Sequence, residues 1–389
     1  MEKRRVRREK LKKKKRKRLI LLLLIINILI ISSWIVLFNS RDDKIEKDGK
    51  KVEKHIKKEK SNKSKKPKEE IREALISIAG DFTLGTDPSF SYYGSMIQEI
   101  DNYNKDYSQL MRNVRDIFSN DDYTIVNLEG TFTESNNKRH KGSGITYNFK
   151  APKDYIKVLT TSSIEGVTIS NNHIYDYGDK GIKDTLETLK NNNVEYCGEG
   201  YKIIRNINDI RVGFLGYTGW YFSEELKNKI DNDIYELKNQ GVDIIIPYFH
   251  WGEENQYIPN ETQKTIAHYA IDAGANLVIG SHSHVIQSLE NYNGKLIAYS
   301  MSNFCFGGNS NPTDKDSFIL QIRFTRNKEI INKTEYKIIP VRISSVIERN
   351  DYVPTILEGE EADKIIEKFN GININFIEKL EYNNFFEIN

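Results

Sequence analysis

The chain has 389 residues, of which 38% are apolar, and this is enough for one large domain or two ordinary ones with a substantial core. The net charge of +3 hides a division, because residues 1–71 contain 26 Lys and Arg against 10 Asp and Glu, whereas the remainder contains 32 against 45. Since the globular part is acidic, the composition argues against nucleic-acid binding, and we expect no nucleic-acid partner.

One uncharged apolar segment lies near the amino terminus, from Leu19 to Phe38. Twenty residues in a helix span ~30 Å, which matches the hydrocarbon core of a bilayer. The 18 residues before it contain 13 Lys or Arg, and the 20 after it contain 8. The positive-inside bias therefore predicts a single-pass anchor in the cell membrane, with a cytoplasmic amino terminus and an extracellular main domain. The alternative is a cleaved signal peptide, which would have a shorter apolar region and a small-residue cleavage site.

Composition predicts five parts along the chain. They are a basic cytoplasmic segment (1–18), a transmembrane anchor (19–38), a charged disordered stalk (39–72), a main domain (73–330), and a carboxyl-terminal extension packed on that domain (331–389). The stalk has almost no apolar residues, so it is either a solvated spacer or a basic tether to anionic lipid or envelope polymer. Cys197 and Cys305 lack metal-binding spacing and are either free thiols or one disulfide.

Short β-rich runs alternate with helical patterns from Glu73 onward. The predicted strands are Leu75–Asp81, Tyr123–Glu129, Gly166–Asn171, Arg211–Tyr217, Val242–His250, Leu277–Ser281, Lys295–Met301 and Phe318–Phe324. The predicted helices are Tyr107–Ser119, Asp154–Ser162, Lys180–Asn192, Glu224–Asn239, Glu261–Ala273 and Glu360–Phe369. This alternation predicts an α/β layered fold with much parallel sheet.

Polar residues that can act as metal ligands follow five of these strands. They are Asp81, Glu129, the pair Asn172 and His173, His250, and the pair His282 and His284. In open α/β sheets, ligands bind outside the carboxyl ends of the strands, so these side chains are expected to meet. Four of the seven histidines in the chain belong to this set. A mixture of imidazole, carboxylate and amide groups suits Zn²⁺, Mn²⁺ or Fe better than Ca²⁺ or Mg²⁺.

The order of motifs resembles the CapA family of capsule (poly-γ-glutamate) biosynthesis proteins. The matching stretches are Ala79–Gly85, Val126–Thr131, Ser170–Gly178, Phe249–Glu253, Gly280–Gln287 and Tyr299–Phe304. That family is in turn similar to calcineurin-like metallophosphoesterases. The resemblance implies a metallophosphoesterase fold, with layered β-sheets flanked by helices, after the single amino-terminal transmembrane helix.

The resemblance also implies roles for individual residues. The implied ligands of one or two divalent metal ions (Mn, Zn or Fe) are Asp81, Glu129 as the bridging carboxylate, Asn172, His250, His282 and His284. His173 would be the proton donor to a leaving group, and Asp176 would orient it. Thr83 stands where the related phosphoesterases have a histidine ligand, which removes one ligand from the first metal position.

Two further residues complete the predicted site. Glu253, beside His250, is expected to hold the imidazole tautomer, with a solvated loop acid as the alternative. Asn303 is expected to line the pocket. A bound metal would lower the pKa of a coordinated water toward ~7, and His173 has a pKa suited to proton transfer near neutrality.

Three functions remain open on the sequence. The first is a membrane-anchored cell-surface protein for poly-γ-glutamate synthesis or export, working beside a membrane-bound polyglutamate synthase complex. The second is an envelope metal-dependent phosphoesterase or hydrolase acting on a phosphodiester or lipid-linked precursor. The third is a non-catalytic surface binding module. The partners expected for them are the membrane and either a polyanionic polymer or a phosphorylated envelope substrate.

Overall fold

The computed structural model describes residues 71–143, 146–376 and 378–388. The predicted basic segment, anchor and all but the last two residues of the predicted stalk lie outside this part of the chain. Within the described residues, no helix combines the length and hydropathy needed to cross a bilayer. The first strand begins at Ile71, slightly before the predicted start of the main domain.

Seventeen strands are found among the described residues. They are β1 (Ile71–Thr83), β2 (Tyr123–Leu128), β3 (Thr131–Phe132), β4 (Lys150–Ala151), β5 (Gly166–Thr168), β6 (Glu195–Cys197), β7 (Ile203–Ile207), β8 (Ile210–Thr218), β9 (Ile244–His250), β10 (Leu277–Ser281), β11 (Leu289–Tyr292), β12 (Lys295–Ala298), β13 (Asn303–Phe306), β14 (Asp316–Asn327), β15 (Ile330–Arg342), β16 (Thr355–Ile356) and β17 (Phe385–Glu387).

Most helices cover the outer faces of the sheets, and the last one packs against the core between them. In the described part of the chain they are α1 (Met96–Asn102), α2 (Arg115–Ser119), α3 (Ile156–Thr160), α4 (Gly178–Asn191), α5 (Glu224–Asn239), α6 (Glu261–Ala273) and α7 (Gly359–Ile372). The predictions for α5 and α6 are confirmed to the residue. The helices predicted at 107–119 and 154–162 are each split into a 3₁₀ turn, at Tyr107–Met111 and Lys153–Tyr155, and a short α-helix.

Two sheets carry the fold. Among the described residues, sheet I has nine strands, with the order β16-β15-β14-β1-β2-β5-β6, β13 beside β1, and β17 beside β15. Sheet II has six strands in the order β11-β12-β10-β9-β8-β7. In sheet I the strands β1, β2, β5 and β6 are parallel to one another. In sheet II the strands β8, β9, β10 and β12 are parallel to one another. The expected mixture of helices and largely parallel sheets is therefore confirmed.

The strand β9 shows why the molecule is layered. Alternate residues of a strand point to opposite faces. Ile244, Ile246 and Tyr248 belong to the core between the two sheets, whereas Ile245 and Phe249 belong to the core beneath α5 and α6. A third core lies between the outer face of sheet I and the helices α1 to α4. Because both faces of β9 are covered, its sequence is a continuous apolar run without polar alternation.

The carboxyl-terminal segment contributes to the main sheet. β15 pairs with β14 along most of its length, and β17 adds to the outer side of β15. The helix α7 packs Phe369 edge-to-face on Phe318 of β14, with ring centroids 4.9 Å apart. A division of the chain at residue 330 would thus separate the two strands of a hairpin, because β14 precedes that residue and its partner β15 begins there.

Both cysteines are buried free thiols on different strands, which answers the question that the sequence left open. Cys197 ends β6, and Cys305 lies in β13.

Candidate metal centre

The predicted site residues meet at one edge of the two sheets. Asp81 of β1 lies opposite Asn127 of β2, and His250 of β9 lies opposite Ser281 of β10. Parallel strands end at the same edge, so consecutive strand ends deliver their polar residues to one place. Of the six predicted ligands, four are buried and two, Asn172 and His284, are partly buried.

Three side chains form the centre of the site, which we call the donor cluster: Glu129, His282 and His284. Each offers one ligand atom, and these atoms lie within 4.8 Å of one another. Three further predicted ligands surround the cluster. Asp81 Oδ2 is 3.3 Å from His284 Nδ1, His250 Nε2 is 3.5 Å from Glu129 Oε1, and Asn172 Oδ1 is 2.7 Å from His250 Nε2. The structure thus brings all six predicted ligands together.

Two buried atoms of the donor cluster have no hydrogen-bond partner among the described residues. They are Glu129 Oε1 and His282 Nδ1. A buried polar atom without a partner costs about 1–3 kcal/mol, and the cost is larger for a charged group. A divalent cation would satisfy both atoms, and carboxylate and imidazole are ligands that Zn²⁺, Mn²⁺ and Fe accept. The residues present therefore fit the metal that the sequence predicts.

The electrostatics of the cluster favour the ligand forms of two histidines. Burial lowers the pKa of His250 well below its usual value, and the neighbouring His282 lowers it further. Burial and His284 lower the pKa of His282 to about 3. Both rings are therefore neutral at pH 7, which is the state that binds a metal.

The acidic side of the cluster behaves in the opposite way. Burial and the Asp81 carboxylate raise the pKa of Glu129. Burial lowers the pKa of His284, but Glu129 and Asp81 more than offset it, so that the pKa is raised. Metal binding needs the carboxylate form of Glu129 and the neutral ring of His284, and both raised pKa values favour bound protons instead. A cation that binds here has to displace them.

Asn127 is a central residue that the sequence analysis missed. Its Nδ2 donates to Asp81 Oδ1 at 2.8 Å and lies 3.3 Å from His250 Nδ1, while its Oδ1 accepts from Asn171 at 3.1 Å. One side chain thus links three strand ends. The signal was available, because Asn127 and Glu129 are two residues apart and lie on the same face of the strand end.

Trp220 was not predicted as part of the site, and Thr83 was predicted only as a position that lacks a ligand. Thr83 donates its hydroxyl to Glu129 Oε2 at 3.0 Å. It therefore orients the predicted bridging carboxylate, although a hydroxyl is a weaker metal ligand than an imidazole. The indole of Trp220 packs edge-on against the rings of His282 and His250, with centroids 4.7 and 5.8 Å away. It restricts the rotation of both imidazoles.

The predicted orienting partner of His250 is different in the structure. Glu253 is exposed. Ser281 Oγ lies 2.9 Å from His250 Nδ1 instead. The strand β9 ends at His250, so the chain turns toward solvent before it reaches Glu253. The solvated loop acid, considered as the alternative for Glu253, is what the structure contains.

The backbone after β10 explains how two histidines from one short segment reach the cluster. His282 and His284 have φ values of 94° and 56°, in the left-handed region that non-glycine residues rarely adopt. These backbone turns aim both rings into the site. In an extended strand the two residues would share a face, but their side chains would be spread along the strand. Gly280 permits the close approach of β12, because a Cβ there would lie 2.1 Å from Tyr299 O.

His173 and Asp176 form a second polar unit beside the cluster. His173 Nδ1 lies 2.6 Å from Asp176 Oδ2, as predicted, and Lys141 lies 3.2 Å from the same nitrogen and forms an ion pair with Asp176. Burial lowers the pKa of His173, and Asp176 opposes this effect while Lys141 adds to it. The neutral ring therefore donates from Nδ1 to Asp176, and its Nε2 is the atom that can exchange a proton.

A cavity of about 180 Å³ connects the two units. His173, His284 and Asn303 line it, together with Phe149 and Phe306. Asn303 was predicted to line the pocket, and its Oδ1 accepts from His284 Nδ1 at 2.9 Å. A molecule in this cavity would contact His173 on one side and a ligand of the cluster on the other.

The site can therefore support metal-assisted hydrolysis. A divalent ion bound to the cluster would polarise an oxygen of the substrate and supply the nucleophile. The chain itself would contribute His173, whose Nε2 could exchange a proton, and Asp176, which lies against the Nδ1 side of the ring. Asn127 and Thr83 hold the carboxylates of Asp81 and Glu129.

The sequence of the chain matches a known protein family and known bacterial proteins. A family profile described as "Bacterial capsule synthesis protein PGA_cap" matches residues 75–308. The chain is 28% identical over 281 residues to "Capsule biosynthesis protein CapA" of Bacillus anthracis, covering 66% of each chain. It is 29% identical over 271 residues to "PGA biosynthesis protein CapA" of Bacillus subtilis (strain 168), covering 64% of this chain and 68% of the relative. The chain thus spans about two thirds of the length of these relatives.

Among solved structures, the crystal structure of a hypothetical protein from Thermus thermophilus is similar at a TM-score of 0.41 and 14% identity, covering 68% of this chain and 99% of that one. This likeness is too weak to support an argument about the site.

Proposed function

Because the chain belongs to the PGA_cap family of bacterial capsule synthesis proteins, we propose that it acts in poly-γ-glutamate capsule synthesis or export through a metal-binding outer domain. The observation that supports metal binding is the pair of buried atoms without partners, Glu129 Oε1 and His282 Nδ1, inside the donor cluster. The printed names of the two Bacillus relatives support the role in capsule synthesis.

The proposal includes a membrane anchor at residues 19–38. Its support is the uncharged apolar run and the excess of Lys and Arg before it. An anchor of this orientation keeps the outer domain at the cell surface, where a membrane-bound polyglutamate synthase complex would release its polymer. Protease treatment of intact cells tests it, since the outer domain should be digested while the basic amino terminus is protected.

The polymer itself presents an electrostatic problem, because poly-γ-glutamate and the outer domain are both acidic. The residues after 71 contain 32 basic and 45 acidic side chains. Long-range repulsion therefore disfavours binding of a long polyanion over the whole surface. Contact through a metal ion at one site, with only a few residues of the polymer bound at a time, is consistent with both charges.

The capsule proposal is tested by complementation of a gene deletion. Deletion should remove the surface polyglutamate, and wild-type protein should restore it. His282→Ala should fail to restore it, because it removes a ligand of the cluster. His268→Ala is the matched control, since His268 bonds Glu290 outside the site. Full restoration by His282→Ala would contradict the role of the metal.

The metal is tested separately by measuring the metal content of the full-length protein. We expect bound Mn, Zn or Fe in the wild type, and loss of it in His250→Ala and His282→Ala. Equal metal content in both variants and the wild type would contradict the site and would leave the capsule role untouched.

A second candidate function is an envelope hydrolase acting on a phosphodiester or a lipid-linked precursor. The arrangement that favours it is the His173–Asp176 pair, which shares a cavity with His284. The full-length protein loaded with Mn²⁺ or Zn²⁺ should hydrolyse an aryl phosphodiester. His173→Ala should abolish turnover while keeping the metal. Metal binding without turnover in the wild type would instead favour a non-catalytic binding module, for which Thr83 in place of a ligand is the supporting feature.

A further inference from the structure

A second cavity adjoins the one at the donor cluster, and we call it the aromatic cavity. Its volume is about 350 Å³, within the range of pockets that hold small organic ligands. It shares Tyr147, Gly308 and Asn309 with the cavity at the cluster, so the two spaces have a common wall. A molecule longer than one unit could occupy both.

A row of aromatic rings connects the two cavities. The ring of Phe90 packs edge-on against Tyr147 with centroids 5.0 Å apart, Tyr147 stacks on Phe149 at 6.2 Å, and Phe149 lies 4.3 Å from the ring of His173. The aromatic wall therefore extends from the far cavity to the residue that exchanges a proton. Tyr93, which also lines the aromatic cavity, is 80% exposed and is available to a ligand.

The lining of the aromatic cavity is polar and uncharged. None of the described residues that form it is Asp, Glu, Lys, Arg or His. Hydroxyl and amide groups from serine, tyrosine, threonine and asparagine stand between the rings. Thr86 is buried, and its hydroxyl has no hydrogen-bond partner among the described residues. A carboxylate would find no compensating cation here, and burying an unpaired charge is costly.

We propose that the aromatic cavity is a binding subsite for a neutral glycosyl unit. A pyranose ring has an apolar face of C–H groups, which packs on aromatic rings, and an edge of hydroxyl groups, which bond to hydroxyls and amides. A hydrocarbon chain would leave the hydroxyls of the cavity unpaired, and a γ-glutamyl unit would bury a charge. This inference rests on the proposed function in one respect: the molecule bound in the aromatic cavity is taken to be the one that also reaches the donor cluster.

The test is saturation-transfer NMR on the full-length protein in a detergent with a non-sugar head group. The probes are triacetylchitotriose and cellotriose, with γ-linked triglutamate as the anionic competitor. We expect saturation transfer to at least one of the sugars. Tyr93→Ala should weaken it roughly three- to tenfold, the loss of one aromatic contact. Thr86→Val, which keeps the side-chain shape, should also weaken it. The control Tyr235→Ala removes another exposed tyrosine, on α5, and should have no effect.

Two outcomes would overturn the subsite. One is the absence of saturation transfer from both sugars, and the other is binding of triglutamate with the same sensitivity to Tyr93→Ala. The variant His284→Ala separates this inference from the proposed function, since it should lose metal and keep sugar binding. Sugar binding in a protein that never takes up metal would sustain the subsite while the metal proposal fails.

Discussion

Glu129→Gln offers the sharpest test of the metal centre. The substitution keeps the shape of the side chain and an oxygen that can accept from Thr83, and it removes the negative charge that a divalent ion needs. Glu129 is completely buried, so its charge is not screened by water in the way that a surface carboxylate is. We therefore expect Glu129→Gln to lose metal without losing the fold.

The size of the effect follows from linkage. A ligand present at about 100 times its Kd stabilises the folded state by about 2.7 kcal/mol. For a folded unit of roughly 320 residues, unfolding entropy is about 0.7 kcal/mol per kelvin, so the increase in Tm is about 4 °C. The wild type should show this shift when Mn²⁺ or Zn²⁺ is added after chelation, and Glu129→Gln should show little or none.

The assay is differential scanning calorimetry with a metal titration, combined with elemental analysis of the dialysed protein. Glu134→Gln is the matched control, because it replaces the same side chain at an exposed position near the end of β3. It should behave like the wild type. The reasoning is refuted if Glu129→Gln takes up as much metal as the wild type and gains the same Tm.

Three other predictions concern the fold. Burial raises the pKa of Asp121 to about 7 despite hydrogen bonds from Ser77 and Thr124. The protonated carboxyl therefore contributes its full stability below pH ~4, and this contribution is lost as the pH rises through ~7. Asp121→Asn should raise the Tm at pH ~8 and leave it unchanged at pH ~4, and equal shifts at both would disprove this. Gly280→Ala would place a Cβ 2.4 Å from Trp251 Nε1 and should cost at least about 1–3 kcal/mol in urea unfolding, whereas Gly371→Ala, with open space around it, should not destabilise. Burial raises the pKa of the Cys197 thiol to about 12 and raises that of Cys305 as well, so a thiol reagent should label neither cysteine in the folded protein and both after denaturation; rapid labelling of the native protein would contradict their burial.

Much of the fold could be predicted from periodicity. The helices α5 and α6 have clear start signals, Ser223 and the capping box of Asn260 with Gln263, and their boundaries were correct. The helix predicted at 107–119 was not continuous, since the structure has a 3₁₀ turn at Tyr107–Met111 and a short helix at Arg115–Ser119. The long strand β15 was assigned to an extension, since only its pairing with β14 makes it part of the main sheet.

For the site, the sequence by itself determined which residue types follow the strands, and the parallel order of those strands implied that they meet. The candidate ligands could be predicted in this way because strand ends are local features of the chain. Only the tertiary structure decided the connections between them: Asn127 linking three strand ends, Thr83 holding Glu129, Trp220 against two imidazoles, and Ser281 in the place expected for Glu253. These contacts join residues far apart in the chain, and their distances depend on which strands pair and on how the two sheets pack, which no local pattern encodes.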